Sequence, residues 1–244
     1  MLAVVKGTTG NKILTALPQE ELTNLRRYLE DVHFEKGEVI YMTGDRIQYA
    51  YFPVEGLFSL VSNTENGSTV EIAMVGKEGM VGHPVILKHG MTPYEVSVQV
   101  STHALRIRAE VLEEEFQKGG VLQDLVLRYL NLLIAQVSQL SLCNRFHVLE
   151  KALSRWLLIA QDLVNSESLN LTHESISQAL GVPRTGVTMA AGALQRAGLI
   201  RYSRGRIVIL DRTRLEANSC ECYRIIHNET QQFLKELDSR GLSC

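Results

Sequence analysis

The residues with the clearest chemical potential are arginines crowded into one part of the chain. Residues 171–215 contain seven arginines and only two acidic residues, so this segment has a net charge of +5. The whole chain of 244 residues has a net charge of −2, so the remainder is acidic. A basic segment on an acidic body is typical of nucleic-acid binding, because clustered cations release the counterions condensed on phosphates. A solvated arginine-rich surface without a partner is the alternative.

The order of elements around these arginines indicates two helices and a β-hairpin. Thr172 is predicted to cap a first helix, which Gly181 and Pro183 interrupt. A second helix is predicted over residues 184–197, and it opens with an arginine. The sequence Leu199–Leu210 then predicts two strands around an Arg-Gly-Arg tip. This order predicts a winged helix-turn-helix, and a winged helix used only for protein contacts is the alternative.

The N-terminal half has the alternation of β-structure. Apolar and polar residues alternate along Val96–Val100. Asn66-Gly67 predicts a type I′ hairpin turn, because both central residues of that turn need positive φ. Short strands at this spacing predict a compact antiparallel roll, preceded by a short helix over Pro18–Tyr28. Glycines separate the β-rich runs: Tyr49–Val54, Leu57–Val61 and Thr69–Val75.

A helical period replaces this alternation from Val121 to Leu142. Apolar residues three and four positions apart form one stripe, and further apolar residues lie off it. The helix therefore needs a second packing partner, and a parallel helix from a second copy is the simplest one. Burial within a single chain is the alternative. The interface is predicted to contain Tyr129, Leu133, Gln136, Val137 and Leu140.

Another helix is predicted over Phe146–Val164. Its apolar residues recur at helical spacing and predict one face that packs into a core. The predicted core face contains Val148, Ala152, Leu153, Trp156, Leu157 and Ile159.

Composition excludes several classes of protein. With 45% apolar and 21% charged residues, the chain can bury a core, which excludes disorder and collagen-like repeats. The longest uncharged stretch, Tyr129–Asn144, has sixteen residues and several polar side chains, so no membrane span is expected. Four cysteines are too few for a disulfide scaffold, and no secretory signal is visible, so a cytoplasmic protein is expected. No nucleophile–base pair or phosphate loop points to an enzyme.

Together these patterns predict an α+β chain in three parts. Residues 1–120 are expected to form an N-terminal antiparallel β-roll. Residues 121–145 are expected to form a long dimerisation helix, and residues 146–244 a C-terminal winged helix-turn-helix that binds DNA.

This organisation resembles the Crp/Fnr superfamily of bacterial transcription regulators over about residues 14–223. The roll looks like the cyclic-nucleotide-binding β-roll of that family, and Val75–Gly82 and Cys220–Tyr223 resemble one of its subgroups. The resemblance implies a homodimer with one recognition helix per subunit in successive major grooves of a near-palindromic double-stranded DNA site. RNA polymerase is an implied partner if the protein is an activator.

The resemblance also implies roles for individual residues of the winged helix-turn-helix. Arg184 matches the family's arginine at the start of the recognition helix, which reads guanine through a bidentate contact. Thr185 replaces the usual acidic residue, and Met189 replaces a second base-reading arginine, so a different operator is expected. Contacts to base edges are predicted for Arg184, Thr185, Gly186, Thr188 and Met189. Contacts to phosphates are predicted for Thr172, Arg201, Arg204 and Arg206.

The effector pocket departs from the family pattern. Cyclic-AMP binders of the family present a Gly-Glu pair to the ribose and an Arg-Ser or Arg-Thr pair to the cyclic phosphate. These pairs align with Gly82-His83 and Tyr94-Glu95. A carboxylate at the phosphate position repels the ligand. We therefore expect the β-roll to respond to a signal other than cyclic AMP, from a small molecule that the sequence does not identify.

No cofactor is predicted, and two alternatives stay open. The iron–sulfur branch of the family needs N-terminal cysteines, whereas the first cysteine here is Cys143. Cys220-x-Cys222 with His227 offers a metal or redox site, but one Cys-x-Cys lacks four convincing ligands. Haem needs an axial ligand in the roll, for which the available histidines are His33, His83, His89 and His103.

The sequence therefore predicts a homodimeric, sequence-specific DNA-binding transcription regulator. The alternative is a module of the same fold that binds an effector or a partner protein but no longer binds DNA specifically. Arginines 184, 201, 204 and 206 favour the first interpretation, because a module that no longer binds DNA does not need them.

Overall fold

The computed structural model describes residues 9–166 and 168–241. The chain begins with two short helices, α1 (Lys12–Thr15) and α2 (Gln19–Arg26). Asn11 caps α1, and its side-chain amide donates to the backbone carbonyls of Pro53 and Gly79, both at 2.9 Å. The N-terminal helices are thereby tied to the domain that follows. The predicted helix over Pro18–Tyr28 is confirmed as α2.

The N-terminal domain is an antiparallel β-structure. Its strands pair in the order β1-β5-β3-β4, and β2 also pairs with β5. A short 3₁₀ helix, His83–Leu87, precedes β5. Alternation along β5 is confirmed, since Val96, Val98, Leu105 and Ile107 are buried. The strands are β1 (Glu30–Phe34), β2 (Val39–Tyr41), β3 (Tyr49–Asn63), β4 (Thr69–Val75) and β5 (Glu95–Arg108).

Two details of the predicted roll are wrong. The runs Tyr49–Val54 and Leu57–Val61 are one strand, β3, because Gly56 at φ 88° bends the chain while its pairing with β5 continues through register shifts. A β-carbon at Gly56 would lie 2.4 Å from the carbonyl oxygen of Ser101. The turn at Asn66-Gly67 is a five-residue connection, since β3 and β4 pair through Asn63 and Thr69. Only Gly67 of the two has positive φ, so the turn is not type I′.

Two helices follow the roll, and one helix follows the DNA-binding unit. α3 (Ala109–Gln117) leads into α4 (Gly120–Phe146), the longest helix of the described chain. The last helix, α9 (Glu221–Gly241), runs back along α4 in the opposite direction. Cys143 therefore lies opposite Cys220 near one end, and Arg128 pairs with Glu236 near the other.

α4 extends beyond the predicted helix and is long and apolar enough to cross a membrane by length and composition alone. The uncharged stretch Tyr129–Asn144, for which no membrane span is expected, is the C-terminal part of this longer helix. However, 44% of its most apolar window is buried within the protein. Its buried side packs against α9 and β4, as a helix in a globular core does.

The C-terminal unit contains α5 (Leu149–Val164), α6 (His173–Leu180), α7 (Arg184–Arg196) and α8 (Arg212–Asn218). Strands β7 (Ile200–Ser203) and β8 (Arg206–Ile209) form the hairpin, and β6 (Ser168–Asn170) adds a third strand that the sequence did not indicate. The predicted core face of α5 is confirmed except at Val148, which precedes the helix and is exposed.

A buried polar contact joins the roll to α5. Glu71 of β4 accepts hydrogen bonds from Trp156 Nε1 at 2.8 Å and from Ser59 Oγ at 2.5 Å. Burial raises the pKa of Glu71 to about 7, although both hydrogen bonds and the nearby charge of Arg155 act in the opposite direction. Arg155 is itself buried, and its Nε has no hydrogen-bond partner among the described residues. The stability of this junction therefore depends on the protonation of one carboxyl group.

Candidate nucleic-acid interface

Local sequence signals position the helix-turn-helix as predicted. Thr172 Oγ1 accepts the backbone N–H of Ser175 at 3.0 Å, and Ser175 Oγ accepts the backbone N–H of Thr172 at 3.2 Å. This reciprocal capping begins α6. Gly181 ends it at φ 64°, in the left-handed region that favours glycine. Pro183 then caps α7, so that Arg184 is its first residue.

One face of α7 is exposed and carries most of the residues predicted to contact bases. Arg184, Thr185 and Thr188 are exposed, and Met189 is 69% exposed. The opposite face, with Val187, Ala190, Ala191 and Leu194, is buried. An exposed helix face of this kind can enter a major groove, and the arginine at its start carries a permanent positive charge.

Gly186 does not belong to this face. A β-carbon at Gly186 would lie 3.1 Å from Leu149 Cδ2, so its side faces α5. The predicted base contact at Gly186 is therefore wrong, because this glycine permits the close approach of α7 to the start of α5.

Two residues that the sequence analysis missed support the exposed face. His173 stacks on Tyr202 of the hairpin, with ring centroids 4.1 Å apart. His173 Nδ1 lies 3.0 Å from Thr188 Oγ1, whose hydroxyl donates to the carbonyl of Arg184 at 3.0 Å. Burial, with a smaller effect of the Arg184 charge, lowers the pKa of His173, so the ring is neutral at pH 7 and donates to Thr188 through Nδ1. His173 thus fixes the orientation of Thr188.

The hairpin places its tip beside the first turn of α6. Gly205 lies against Thr172, since a β-carbon at Gly205 would be 3.7 Å from Thr172 Cγ2. Arg204 and Gly205 have φ values of 49° and 78°, as the two central residues of a type I′ turn do. Asparagine or glycine is favoured at the position of Arg204. Arg204 is exposed and therefore holds a conformation that costs an arginine more than these residues.

The arginines of the basic segment divide into two groups. Arg184, Arg196, Arg201 and Arg204 are exposed, and none forms an ion pair with a described residue. Arg206 is also exposed, and it donates to Ser168 Oγ at 2.9 Å. Arg212 and Arg214 instead pair with acidic side chains, namely Asp162, Glu216 and Asp211. The arginines of this segment that have no acidic partner therefore lie on α7 and the hairpin. They include the three arginines predicted to bind phosphates, Arg201, Arg204 and Arg206.

The predicted dimer residues of α4 are mostly inside the chain's own core. Tyr129, Leu133, Gln136 and Leu140 are each less than 10% exposed. Tyr129 OH donates to the carbonyl of Met80 at 2.9 Å, and its ring packs on Phe233 of α9. The prediction of an interface through these four residues is therefore wrong, because the roll and α9 already cover them. Only Val137 of the predicted set is exposed.

A second apolar stripe on α4 faces outward. Leu127 is 49% exposed, Ile134 is 65% exposed, and Leu130 lies half-buried between them. Together with Val137, these residues are separated by three, four and three positions, the a/d spacing of a coiled-coil seam. The chain thus has an unpartnered apolar stripe of the kind that pairs two helices.

The interior of the roll contains a packed aromatic group where the resemblance places the effector. His83 is buried, and its Nε2 lies 2.8 Å from Tyr94 OH. Burial lowers the pKa of His83 to about 4, so the ring is neutral. The edge of the His83 ring also meets Tyr129 of α4, with centroids 6.5 Å apart. Gly82 at φ 89° approaches the backbone of Ala50, which leaves no room for a β-carbon.

Glu95 lies outside this aromatic group. It begins β5, is half-buried, and accepts a hydrogen bond from Asn63 Nδ2 at 3.0 Å. Tyr94, the residue before the strand, is buried and contacts His83 instead. The prediction that the Glu95 carboxylate occupies the pocket is therefore wrong.

A cluster of four potential metal ligands lies where α4, α5 and α9 meet. It contains Cys143, His147, Cys220 and Cys222, whose donor atoms all lie within 4.8 Å of one another. His227, the expected companion of Cys220 and Cys222, is elsewhere and contacts Asp162 and Tyr223. The signal for the actual partners was the four-residue spacing of Cys143 and His147 at the end of α4, where His147 is the residue that follows the helix.

Comparisons with known proteins agree with this geometry. Residues 31–118 match the model of the cyclic nucleotide-binding domain, and residues 151–218 match the Crp-like helix-turn-helix domain. The chain belongs to the Crp/Fnr family. It is therefore a DNA-binding transcription regulator of the helix-turn-helix type, and its α+β architecture is the one expected.

Relatives of this Crp/Fnr-family chain are regulators. The global nitrogen regulator of Synechococcus elongatus is 23% identical over 82% of this chain and 94% of the relative. The transcriptional regulator SdrP of Thermus thermophilus is 28% identical over 75% of this chain and 90% of the relative. The fold is similar to that of a proposed Crp/Fnr-family regulator from Eubacterium rectale, with a TM-score of 0.66, 21% identity, and coverage of 85% and 95%.

Proposed function

We propose that this Crp/Fnr-family chain acts as a homodimer that binds a near-palindromic DNA site through residues 184–197. The observation that carries the proposal is the exposed face of α7, headed by Arg184, beside a hairpin tip that exposes Arg204. One helix face reads bases, which gives sequence specificity, and the adjacent cations bind phosphates, which fixes the position of the protein on the duplex.

Each exposed residue of α7 suits a particular contact. Arg184 has the fork geometry for the O6 and N7 atoms of guanine, and Thr185 and Thr188 offer hydroxyls to base edges. Met189 offers an apolar contact to a thymine methyl group. Arg201, Arg204 and Arg206, with the N-terminus of α6 at Thr172, hold the phosphate backbone.

The proposed dimer forms through the outward stripe of α4. Leu127, Leu130, Ile134 and Val137 span three turns at the spacing of a parallel coiled coil. A second copy buries this stripe, and the two-fold axis along α4 then relates the two α7 helices. Half-sites about one helical turn apart follow from that symmetry.

The proposed signal acts on the aromatic group inside the roll and is not cyclic AMP bound in the usual way. His83 and Tyr94 contact each other where the resemblance implies the nucleotide contacts, and His83 also packs against Tyr129 of α4. A small molecule that displaces or reorients these rings shifts Tyr129 and hence α4. The population of dimers with both α7 helices correctly spaced then changes. Contact with RNA polymerase completes the function if the protein activates transcription.

The test is selection of bound duplexes from a random DNA pool by the purified full chain, without added ligand, over a series of salt concentrations. We expect an enriched palindrome and an affinity that falls steeply with salt. An enriched site without two-fold symmetry contradicts the dimer. Absence of binding at low salt contradicts DNA recognition and favours a module that binds an effector or a partner protein.

A further inference from the structure

We propose that Cys143, His147, Cys220 and Cys222 form a binding site for one Zn²⁺ ion. The first two residues come from the C-terminal end of α4, and the other two from the start of α9. The three thiols are buried, and the imidazole is partly exposed. A set of three cysteines and one histidine is a common ligand set of structural zinc sites.

The separations of the donor atoms fit a single tetrahedral ion. Cys143 Sγ lies 3.6 Å from Cys220 Sγ, and Cys222 Sγ lies 3.4 Å from His147 Nδ1. With Zn–S and Zn–N distances of about 2.3 Å and 2.0 Å, tetrahedral geometry gives edges of about 3.8 Å and 3.5 Å. These two edges match the tetrahedral values to within a few tenths of an ångström, and the remaining donor pairs, all within 4.8 Å, need shifts of at most about 1 Å to hold the ion. An iron–sulfur cluster spreads its thiolates over several irons and needs wider spacing.

Neighbouring side chains supply the support that a zinc ligand set requires. His147 turns Nδ1 toward the thiols, and its Nε2 lies 3.3 Å from Glu221 Oε1. A carboxylate that accepts the second N–H of a histidine fixes the tautomer in which the first nitrogen can bind the metal. Gln139 Nε2 also donates to Cys222 Sγ at 3.2 Å, which is a hydrogen bond suited to a bound thiolate.

The charge at the site also balances. Each thiol releases its proton to solvent when it binds the ion, so Zn²⁺ with three thiolates and a neutral imidazole carries one net negative charge. Arg155 is buried and acts electrostatically on both Cys143 and Cys220. Its Nε has no hydrogen-bond partner among the residues that the structure describes. A buried cation needs anionic neighbours, and the zinc–thiolate centre would supply one in addition to the Glu71 carboxyl group.

The position of the site gives it a specific consequence. The two ligand pairs bracket α5–α8, so the ion connects the point where the chain enters the DNA-binding unit with the point where it leaves. Bound Zn²⁺ therefore fixes this unit against α4, the proposed dimer helix. Removal of the ion frees α7 to change its orientation relative to the two-fold axis.

The test is the metal content of the full chain, purified without a metal-affinity tag in reducing buffer. We expect about one Zn²⁺ per chain, and after exchange with Co²⁺ the intense visible absorption of a tetrahedral thiolate site. Cys222→Ser and His147→Ala should lose the stoichiometric metal. His227→Ala is the matched control, because it removes a nearby histidine outside the cluster, and it should retain the ion.

Three results overturn the proposal. The first is wild-type chain that stays without stoichiometric Zn²⁺ after reconstitution and shows no tetrahedral Co²⁺ spectrum. The second is a Cys143–Cys220 disulfide as the predominant form in the reducing buffer, which assigns the cluster to redox chemistry. The third is retention of the ion by both ligand variants. If a variant fails to fold, the wild-type stoichiometry and Co²⁺ spectrum still decide the matter.

Discussion

Arg204 at the hairpin tip makes opposite contributions to folding and to DNA binding. Its φ of 49° places a side chain with a β-carbon in the left-handed region, which costs about 1 kcal/mol. Asparagine tolerates this conformation better and is favoured in type I′ turns. Arg204→Asn should therefore raise the free energy of unfolding by up to about 1 kcal/mol, or the melting temperature by about 2–4 °C for a chain of this size.

The same substitution should weaken binding to DNA. Each subunit loses one phosphate contact, so the slope of log affinity against log salt should become shallower by about 2 for a dimer. Cognate and scrambled duplexes should be affected equally, because phosphates carry no sequence information. Fluorescence anisotropy over a salt series measures both quantities, and urea denaturation of the full chain measures the stability.

Lys88 provides a matched control on the roll. It is exposed and also has positive φ, at 59°, so Lys88→Asn removes one positive charge and relieves the same kind of backbone strain. This variant should be stabilised with unchanged DNA affinity. The reasoning is refuted if Arg204→Asn loses stability, if its affinity loss is confined to the cognate site, or if Lys88→Asn weakens DNA binding equally.

Three further predictions follow from other parts of the structure. Because the pKa of Glu71 is raised from 4.5 to about 7, the folded state holds an extra proton in this interval, and the free energy of unfolding falls by about 3 kcal/mol as pH rises through it. Glu71→Gln should flatten this decline in denaturation curves at pH 5 and pH 8; an unchanged decline contradicts the assignment. Ile134→Glu should give monomers in sedimentation velocity, whereas Leu87→Glu, at an exposed apolar position on the roll, should leave the dimer intact. A dimeric Ile134→Glu variant would refute the proposed seam. His173→Ala should reduce affinity for the selected site several-fold while leaving scrambled DNA unaffected, because it releases Thr188; equal losses on both duplexes would contradict a positioning role.

Signals within a few residues predicted the DNA-binding unit well. The cap at Thr172, the turn at Gly181 and Pro183, and Gly205 at the hairpin tip each favour the backbone conformation that the structure has there. The exposed and buried faces of α7 then follow from its 3.6-residue period. Gly186 was misassigned because only the packing of α7 on α5 shows what a glycine on that helix approaches.

Features that depend on distant parts of the chain were not predictable in the same way. α4 carries two apolar stripes, and the period alone does not tell which one faces the chain's own core. The answer depends on contacts of Tyr129 with Met80 of the roll and Phe233 of α9. Cys143 and Cys220 are likewise brought together only by the return of α9 along α4.

The most direct test of sequence-specific reading by α7 is a titration of Arg184→Ala with two duplexes. One carries the selected palindrome, and the other carries the same bases in scrambled order. We predict a loss of about 1–3 kcal/mol on the palindrome and a much smaller loss on the scrambled duplex. Equal losses on the two duplexes would mean that Arg184 contacts only the phosphate backbone, and would contradict the account of α7 as the element that reads the DNA sequence.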